Sequence, residues 1–323
     1  MKQLTKVLSL VVPCFNEEKN VSLFFEVVMD VFKSMKEEIE IIFVNDGSTD
    51  NTYDEIKKLI KNNKKIDIKA VDFSRNFGKE AAILAGLREA TGEYTALIDA
   101  DLQQHPKYVM EMMEFLKQNK DYDEVACYQK KRKESFIMKV LKAGFYSGIK
   151  KMTEIEIPAA ASDFRCFRST VREAVISLQE KSRFSKGLFA WVGYNTYLMP
   201  YTVEERKNGK SKWNIRKLFK YAFGGITDYS TSPLLWPFKS GIMISLVSFI
   251  TFIILLILRL AKNKVADLWI LLVFILMLFG ILLINLGVLG SYVAKNTVEI
   301  KNRPVYVIRE KISKESIDSK DEL

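Results

Sequence analysis

Residues 94–103 read Tyr94-Thr-Ala-Leu-Ile-Asp-Ala-Asp-Leu-Gln103. An apolar run feeds directly into two aspartates, Asp99 and Asp101, one residue apart. Read as a strand, the run puts both carboxylates at its carboxyl end. Open α/β sheets bind their ligands along that edge. A pair of carboxylates there suits a divalent cation held against a diphosphate.

The stretches around it repeat the pattern. Leu8-Ser-Leu-Val-Val12 reads as a buried strand ending at Pro13, followed by a helix to about Met35. Ile39 to Val44 is a second strand, and Asn45-Asp-Gly-Ser-Thr-Asp50 is turn chemistry leading into a helix over about 52–62. Ile66 to Phe73 is a third strand, then Arg75-Asn-Phe-Gly78 and a helix to about Ala90. After the acidic pair, Pro106 starts another helix, and Val125 to Tyr128 reads as a strand. Strands alternating with helices predict an α/β fold with a mostly parallel sheet covered on both faces.

The remainder differs in composition. Residues 241–258 carry no charge, and 268–294 carry none either, with one amide at Asn285. Each is long enough to cross a bilayer core of about 30 Å. The sequence therefore predicts a catalytic domain over 1–211, an amphipathic juxtamembrane helix over 212–233, and a two-helix transmembrane hairpin within 234–294 (about 240–260 and 268–293). A basic, charged tail is expected over 295–323. Residues 136–152 also mix apolar and basic positions, so either packing on the sheet or an interfacial position fits them. Basic residues flank the hairpin more densely than they populate its 259–267 loop. That bias predicts that the catalytic domain and both termini are cytosolic.

Composition excludes several classes. The 323-residue chain has 49 basic and 39 acidic side chains, a net charge of +10, which flanks of membrane spans account for without nucleic acid. Cys14, Cys127 and Cys166 lack zinc spacing and are read as reduced thiols. The single histidine, His105, precedes Pro106 and reads as a loop residue. No long apolar stretch precedes Pro13, so no signal peptide is expected. Lys320-Asp-Glu-Leu323 spells a retention signal read only in the ER lumen, whereas a cytosolic tail is expected here. Neither a P-loop nor a dinucleotide fingerprint occurs.

The chemistry-bearing residues cluster in the loops that follow the predicted strands. Asp99 and Asp101 supply carboxylates, and Gln103 could add an amide oxygen, for Mg²⁺ or Mn²⁺. Asp46 could accept a base N–H, Glu17 could bond a base or ribose, and Arg75 and Lys79 could meet phosphate or base. Asp50 and Ser48 could equally be helix starts.

Four motifs stand in order: Pro13-Cys-Phe-Asn-Glu17, Asn45-Asp-Gly-Ser48, Arg75-Asn-Phe-Gly-Lys79 and Asp99-Ala-Asp-Leu-Gln103. Together they resemble family 2 glycosyltransferases with the type A, Rossmann-like fold. Ala161-Ser-Asp-Phe-Arg165, Arg183 to Gly187, Trp191-Val-Gly193 and Arg206 to Trp213 narrow the resemblance. They are similar to the polyprenyl-phosphate glycosyltransferases, the bactoprenol glucosyltransferase and dolichyl-phosphate mannose synthase group. The two apolar C-terminal segments match the bactoprenol branch.

That resemblance implies roles. Pro13, Asn16, Glu17, Asp46, Lys79 and Asp99 would hold the nucleotide. Asp99, Asp101 and Gln103 would hold the metal and diphosphate. Asp101, Asp163 and Arg206 would be the catalytic group, with Asp163 orienting rather than deprotonating. Arg165, Ser211 and Lys212 would bind acceptor and diphosphate phosphates. The implied reaction is inverting transfer of one hexose, from UDP-glucose or UDP-GlcNAc, to undecaprenyl phosphate at the inner membrane. The implied assembly is a tetramer. GDP-mannose with a dolichyl phosphate acceptor is the alternative within the family, and a non-catalytic membrane adaptor the alternative outside it. Asn45 departs from the family pattern, which often has a first aspartate there, and Phe15 replaces a common tyrosine.

Overall fold

A computed structural model describes residues 6–33, 35, 37–63, 65–129, 161–181, 183–202 and 267–313. The strands are β1 (Lys6–Cys14), β2 (Ile39–Asn45), β3 (Asp67–Phe73), β4 (Gly92–Leu97), β5 (Glu124–Gln129), β6 (Ala161–Arg168), β7 (Thr196–Tyr201) and β8 (Ile308–Ser313). The helices are α1 (Val21–Val31), α2 (Thr52–Asn62), α3 (Lys79–Glu89), α4 (Lys107–Gln118), α5 (Ser169–Ser177), α6 (Ser185–Trp191) and α7 (Asp267–Ile300). They fall into two compact units: one holds the sheet with α1–α6 and takes the chain back at Pro304, the other holds α7.

The strands form one eight-stranded sheet in the order β7-β5-β6-β4-β1-β2-β3-β8. β1 pairs in parallel with β2 and β4, β2 with β3, and β5 with β7. Only β6 and β8 run against the others. The expected mostly parallel α/β sheet is therefore the observed one.

Both faces are buried, and the period-2 alternation of the strands divides the core. Leu8, Leu10 and Val12 of β1, with Ile41 and Phe43 of β2, meet Phe24 and Val28 of α1, Ile56 of α2 and Met112 and Met113 of α4. Val11, Ile42 and Val44 point the other way, against Ala81, Ala82 and Ala85 of α3 and Val171 and Val175 of α5. Helices bury apolar faces on opposite sides of a sheet whose strands are near-continuous apolar runs. Each buried aliphatic side chain contributes about 1.5–3 kcal/mol. At the strands' amino ends, buried Glu40 accepts from Ser9, Thr91 and Lys69, which fixes the edge opposite the site.

Pro13 does not stop the first strand as its sequence suggests. It lies inside β1, paired with Val44. The β1–β4 ladder ends at Val11↔Leu97, with Ile98 N–H donating to the Val11 carbonyl. Pro13 faces that vacated side, so its missing N–H interrupts no ladder bond. Residues 308–313, expected as part of a charged tail, form β8 and pair antiparallel with β3.

Residues 136–152, the expected amphipathic juxtamembrane helix at 212–233 and the first apolar segment lie outside the described residues. The second apolar segment falls within α7, a 34-residue helix. Most side chains between 267 and 284 lie outside the description, and counted on described residues alone no helix is long and apolar enough to cross a membrane.

Candidate active site

The site grows from the carboxyl edge of β1, β2, β3 and β4. After β1 the chain turns at Asn16, whose φ of 54° is left-handed. Asparagine tolerates that conformation because its short polar side chain bonds locally. Its N–H donates to Ser48 Oγ (2.9 Å), and its Oδ1 accepts from Thr49 N–H (2.9 Å). Glu17 N–H donates to Thr52 Oγ1 (2.8 Å), and Glu17 Oε2 accepts from Asn20 Nδ2 (2.6 Å). The first two loops are thereby stitched into one wall. Asp50, just ahead of α2, accepts from Thr52 N–H (3.1 Å) in a local turn bond, while the N-cap itself is Asn51 with no side-chain cap bond.

Asp46 is buried, and its carboxylate accepts from the N–H groups of Phe77 (2.7 Å) and Gly78 (3.0 Å). Burial pushes its carboxyl above the ordinary range against the pull of those donors. These bonds hold the loop after β3 against the end of β2. Gly47, at φ 62°, lets that loop close, because a Cβ there would collide with the Arg75 carbonyl. Arg75 stacks its guanidinium over the Phe77 ring at 4.1 Å.

Lys79 opens α3 and reaches across the cleft. Its Nζ lies 2.6 Å from Asp99 Oδ1 and 3.8 Å from Asp163 Oδ2. The sheet register explains the meeting. β4 and β6 pair antiparallel with Leu97 opposite Arg165, so two residues further on Asp99 faces Asp163. The cation sits between two carboxylates that the backbone has already aligned. Burial lowers the Lys79 pKa, but Asp99 and Asp163 outweigh it and hold the ammonium above its usual range. Burial likewise raises Asp163, and Lys79, Lys186 and Arg165 overcome it, so its carboxyl stays below the ordinary value. Asp163 therefore remains ionised near neutral pH and is a poor proton acceptor, which suits an orienting group.

The Asp99–Gln103 turn is shaped by Leu102, which is left-handed at φ 58° with its side chain buried. A bulky residue there is strained, and such strain gathers at functional turns. Asp101 Oδ1 accepts from Gln103 N–H (3.2 Å). Gln104, which the sequence reading passed over, bonds Asp99 twice, receiving its N–H (3.0 Å) and donating from Nε2 (3.4 Å). His105, in the loop ahead of α4, accepts from Lys107 N–H (3.1 Å).

Carboxylate and amide oxygens are the donors that a hard cation takes, so Asp99, Asp101 and Gln103 fit Mg²⁺ or Mn²⁺ by their chemistry. Among the described residues, no three acidic, histidine or cysteine side chains form a metal cage. Mg²⁺ that keeps its waters and binds substrate phosphates does not require one. Asp163 Oδ1 is buried with no hydrogen-bond partner among the described residues, and Asp163 lines one cleft with Pro13, Lys79, Asp99 and Gln104. An unsatisfied buried carboxylate oxygen at a cleft calls for a ligand.

Arg165 is not in that cleft. It is 3% exposed, its Nη1 donates to Glu124 Oε1 (2.6 Å), and its guanidinium stacks on Phe189 at 4.2 Å. Asp163 and Arg165 stand two residues apart on β6, and where Asp163 lines the cleft, the Arg165 guanidinium is held in a buried ion pair with Glu124. Arg206, Ser211 and Lys212 lie outside the described residues. The structure also adds Glu80, beside Lys79 in sequence. Its Oε2 accepts from both the N–H (2.9 Å) and the hydroxyl of Ser185, tying α3 to the start of α6. Burial and then Asp163 push Glu80 up to about 7.

The family model for glycosyl transferase family 2 matches residues 9–175, which include all the loops just described. The chain belongs to glycosyl transferase family 2. As a family 2 glycosyltransferase it also has full-length relatives. The uncharacterized glycosyltransferase sll0501 of Synechocystis sp. is 40% identical over 94% of this chain and 95% of the relative. An SfII prophage-derived bactoprenol glucosyl transferase of Shigella flexneri is 37% identical over 94% of this chain and 97% of the relative. Among solved structures, glucosyl-3-phosphoglycerate synthase of Mycobacterium tuberculosis matches at 17% identity and a TM-score of 0.48, covering 68% of this chain and 75% of that one.

Proposed function

We propose that this glycosyltransferase moves one hexose from a UDP-sugar, UDP-glucose or UDP-GlcNAc, to undecaprenyl phosphate at the cytosolic face of the inner membrane. The observation that carries the acceptor is the alignment with the bactoprenol glucosyl transferase of Shigella flexneri across 94% of this chain. The uncharged stretches 241–258 and 268–294 support a membrane hairpin, since a polyprenyl acceptor cannot leave the bilayer.

The site's chemistry fits. The wall made by Pro13, Asn16 and Glu17 with Asp46 faces the nucleotide. A divalent cation on Asp99, Asp101 and Gln103 supplies charge neutralisation for the diphosphate. The acceptor phosphate is already anionic, so its oxygen attacks the anomeric carbon without a strong base. The carbon–oxygen bond to the diphosphate breaks, UDP leaves with the electron pair, and the anomeric centre inverts. Lys79 screens Asp99 and Asp163, so that two anionic substrates can meet beside two carboxylates. In this reading Arg206, Ser211 and Lys212 bind the two phosphates, and the protein works as an oligomer, a tetramer by its resemblance.

The test is a membrane assay with undecaprenyl phosphate, radiolabelled UDP-glucose, UDP-GlcNAc and GDP-mannose, and Mg²⁺ or Mn²⁺. Label entering the lipid from a UDP-sugar, abolished by chelator, is the expected result. Transfer from GDP-mannose alone would replace the donor assignment, and no transfer from any donor would sink the proposal. A reporter fused after Leu323 should read cytosolic, and an outside signal would reverse the orientation.

A further inference from the structure

β8 follows α7 in the chain and reaches the edge of the catalytic sheet with one residue too many. Asp72 pairs with Glu310 and Phe73 with Ile308, so Arg309 is the bulged residue between them. Bulges re-aim side chains, and this one carries Arg309 across to β3. Its Nη1 lies 3.3 Å from Asp72 Oδ2, and its Nη2 donates to the Ser74 carbonyl (2.8 Å).

Asp72 is 1% exposed and starts an unbroken chain of hydrogen bonds. Its Oδ1 accepts from Asn45 Nδ2 (2.7 Å), and Asn45 Oδ1 accepts from Ser48 Oγ (2.5 Å). Ser48 Oγ in turn accepts from Asn16 N–H (2.9 Å). The line therefore runs from the C-terminal strand, through the ends of β3 and β2, to the left-handed turn after β1. Each link is buried or half-buried, where a hydrogen bond is stronger and its loss costlier than in water. Around it the strand is well tied: Ser74 N–H donates to the Val307 carbonyl, Tyr306 stacks on Phe73 at 4.9 Å, and Tyr53 hydroxyl meets Glu310 (3.2 Å).

We propose that β8 is a working part of the donor site. Arg309 is a positioning residue that fixes Asp72 and, through Asn45 and Ser48, the Asn16 turn against the nucleotide. The segment returning from α7 then sets how tightly the nucleoside diphosphate is held. This rests on the reading of the Asn16 and Asp46 loops as the nucleotide wall.

The experiment measures UDP binding by calorimetry to the full-length protein in detergent with Mg²⁺ and no lipid. Arg309→Ala should weaken UDP about fivefold, the size of effect expected when one link of a coupled network is cut. It should raise the KM for the UDP-sugar to match, with kcat at saturating donor within about twofold of the parent. Arg309→Lys keeps the charge, loses the fork to Ser74 and should fall between the two; it carries the same test if the alanine variant does not fold. Glu310→Gln weakens the contact with Tyr53 but leaves the Arg309 bonds to Asp72 and Ser74 in place, and should lower Tm with no change in UDP affinity. Unchanged UDP affinity in both Arg309 variants would reduce β8 to a structural strand and overturn the proposal. A parent protein that binds no nucleoside diphosphate would instead overturn the functional reading beneath it.

Discussion

Asn45→Asp introduces a carboxylate 2.7 Å from another, since Asn45 Nδ2 is the atom that donates to Asp72 Oδ1. Both residues are essentially buried, at 2% and 1% exposure. Two full charges at that separation repel by about 6 kcal/mol at an effective dielectric near 20. Keeping one carboxyl protonated at pH 7 costs less, about 4 kcal/mol for roughly three pH units at 1.36 kcal/mol each. The variant takes the cheaper route and binds one proton when folded that its unfolded chain does not bind at pH 7. Stability then falls as pH rises, by about 1.4 kcal/mol per unit above pH 4. Arg309, 3.3 Å from the other Asp72 oxygen but 60% exposed, offsets only part of this. Thermal unfolding of parent and variant in detergent at pH 4.5, 5.5 and 7 should show the Tm gap widening to about 10 °C at pH 7. A gap that is absent, or the same at every pH, would refute the assignment of Asn45 as an obligatory donor to Asp72.

Glu80→Gln should remove a pH dependence rather than add one. With its folded pKa raised to about 7, Glu80 favours folding below about pH 4.5 and loses that contribution as pH climbs to 7, so the Gln variant should gain Tm relative to the parent at pH 8 and not at pH 4.5. Arg165→Met alone should cost about 3–5 kcal/mol by stranding Glu124, while Arg165→Met with Glu124→Leu should restore stability in chemical denaturation. Transfer activity retained in that stable double variant separates the core role from a phosphate contact; lost activity would return Arg165 to the site. Gly47→Ala should destabilise by about 1–3 kcal/mol, read as a lowered denaturation midpoint, because its φ of 62° and the Arg75 carbonyl leave no room for a methyl group.

The first 129 residues could be read as strands and helices because each strand there is an apolar run closed by turn residues. Leu8–Val12, Ile39–Val44 and Tyr94–Leu97 bury both faces, so their composition alone marks them. β6 carries Asp163, Arg165 and Arg168 within eight residues, and these meet partners distant in sequence, such as Glu124 for Arg165 and Lys79 for Asp163. β8, Ile-Arg-Glu-Lys-Ile-Ser, looks like a solvated tail until Asp72 and Tyr53 are placed beside it. The candidate site divides in the same way. Asp99, Asp163 and Lys79 could be named from motifs, but their meeting depends on the antiparallel register of β4 and β6, which no local pattern encodes. Asp46 and Arg165 had the right residue types for ligands, but their bonds to the Phe77 N–H and to Glu124 are visible only in the fold. Gln104 and Glu80 stood one residue from named positions, and only their bonds to Asp99 and Ser185 distinguish them.

The central claim is that a lipid phosphate attacks a nucleotide-bound hexose beside Asp99, Asp101 and Asp163. Its most direct measurement is mass spectrometry of undecaprenyl phosphate after incubation with the purified full-length protein, UDP-glucose or UDP-GlcNAc, and Mg²⁺ or Mn²⁺. The account predicts a lipid heavier by one sugar residue and no more, linked through phosphate with inverted configuration, and missing with Asp101→Ala. An unchanged lipid, a lipid carrying several sugars, or full conversion by Asp101→Ala would contradict it.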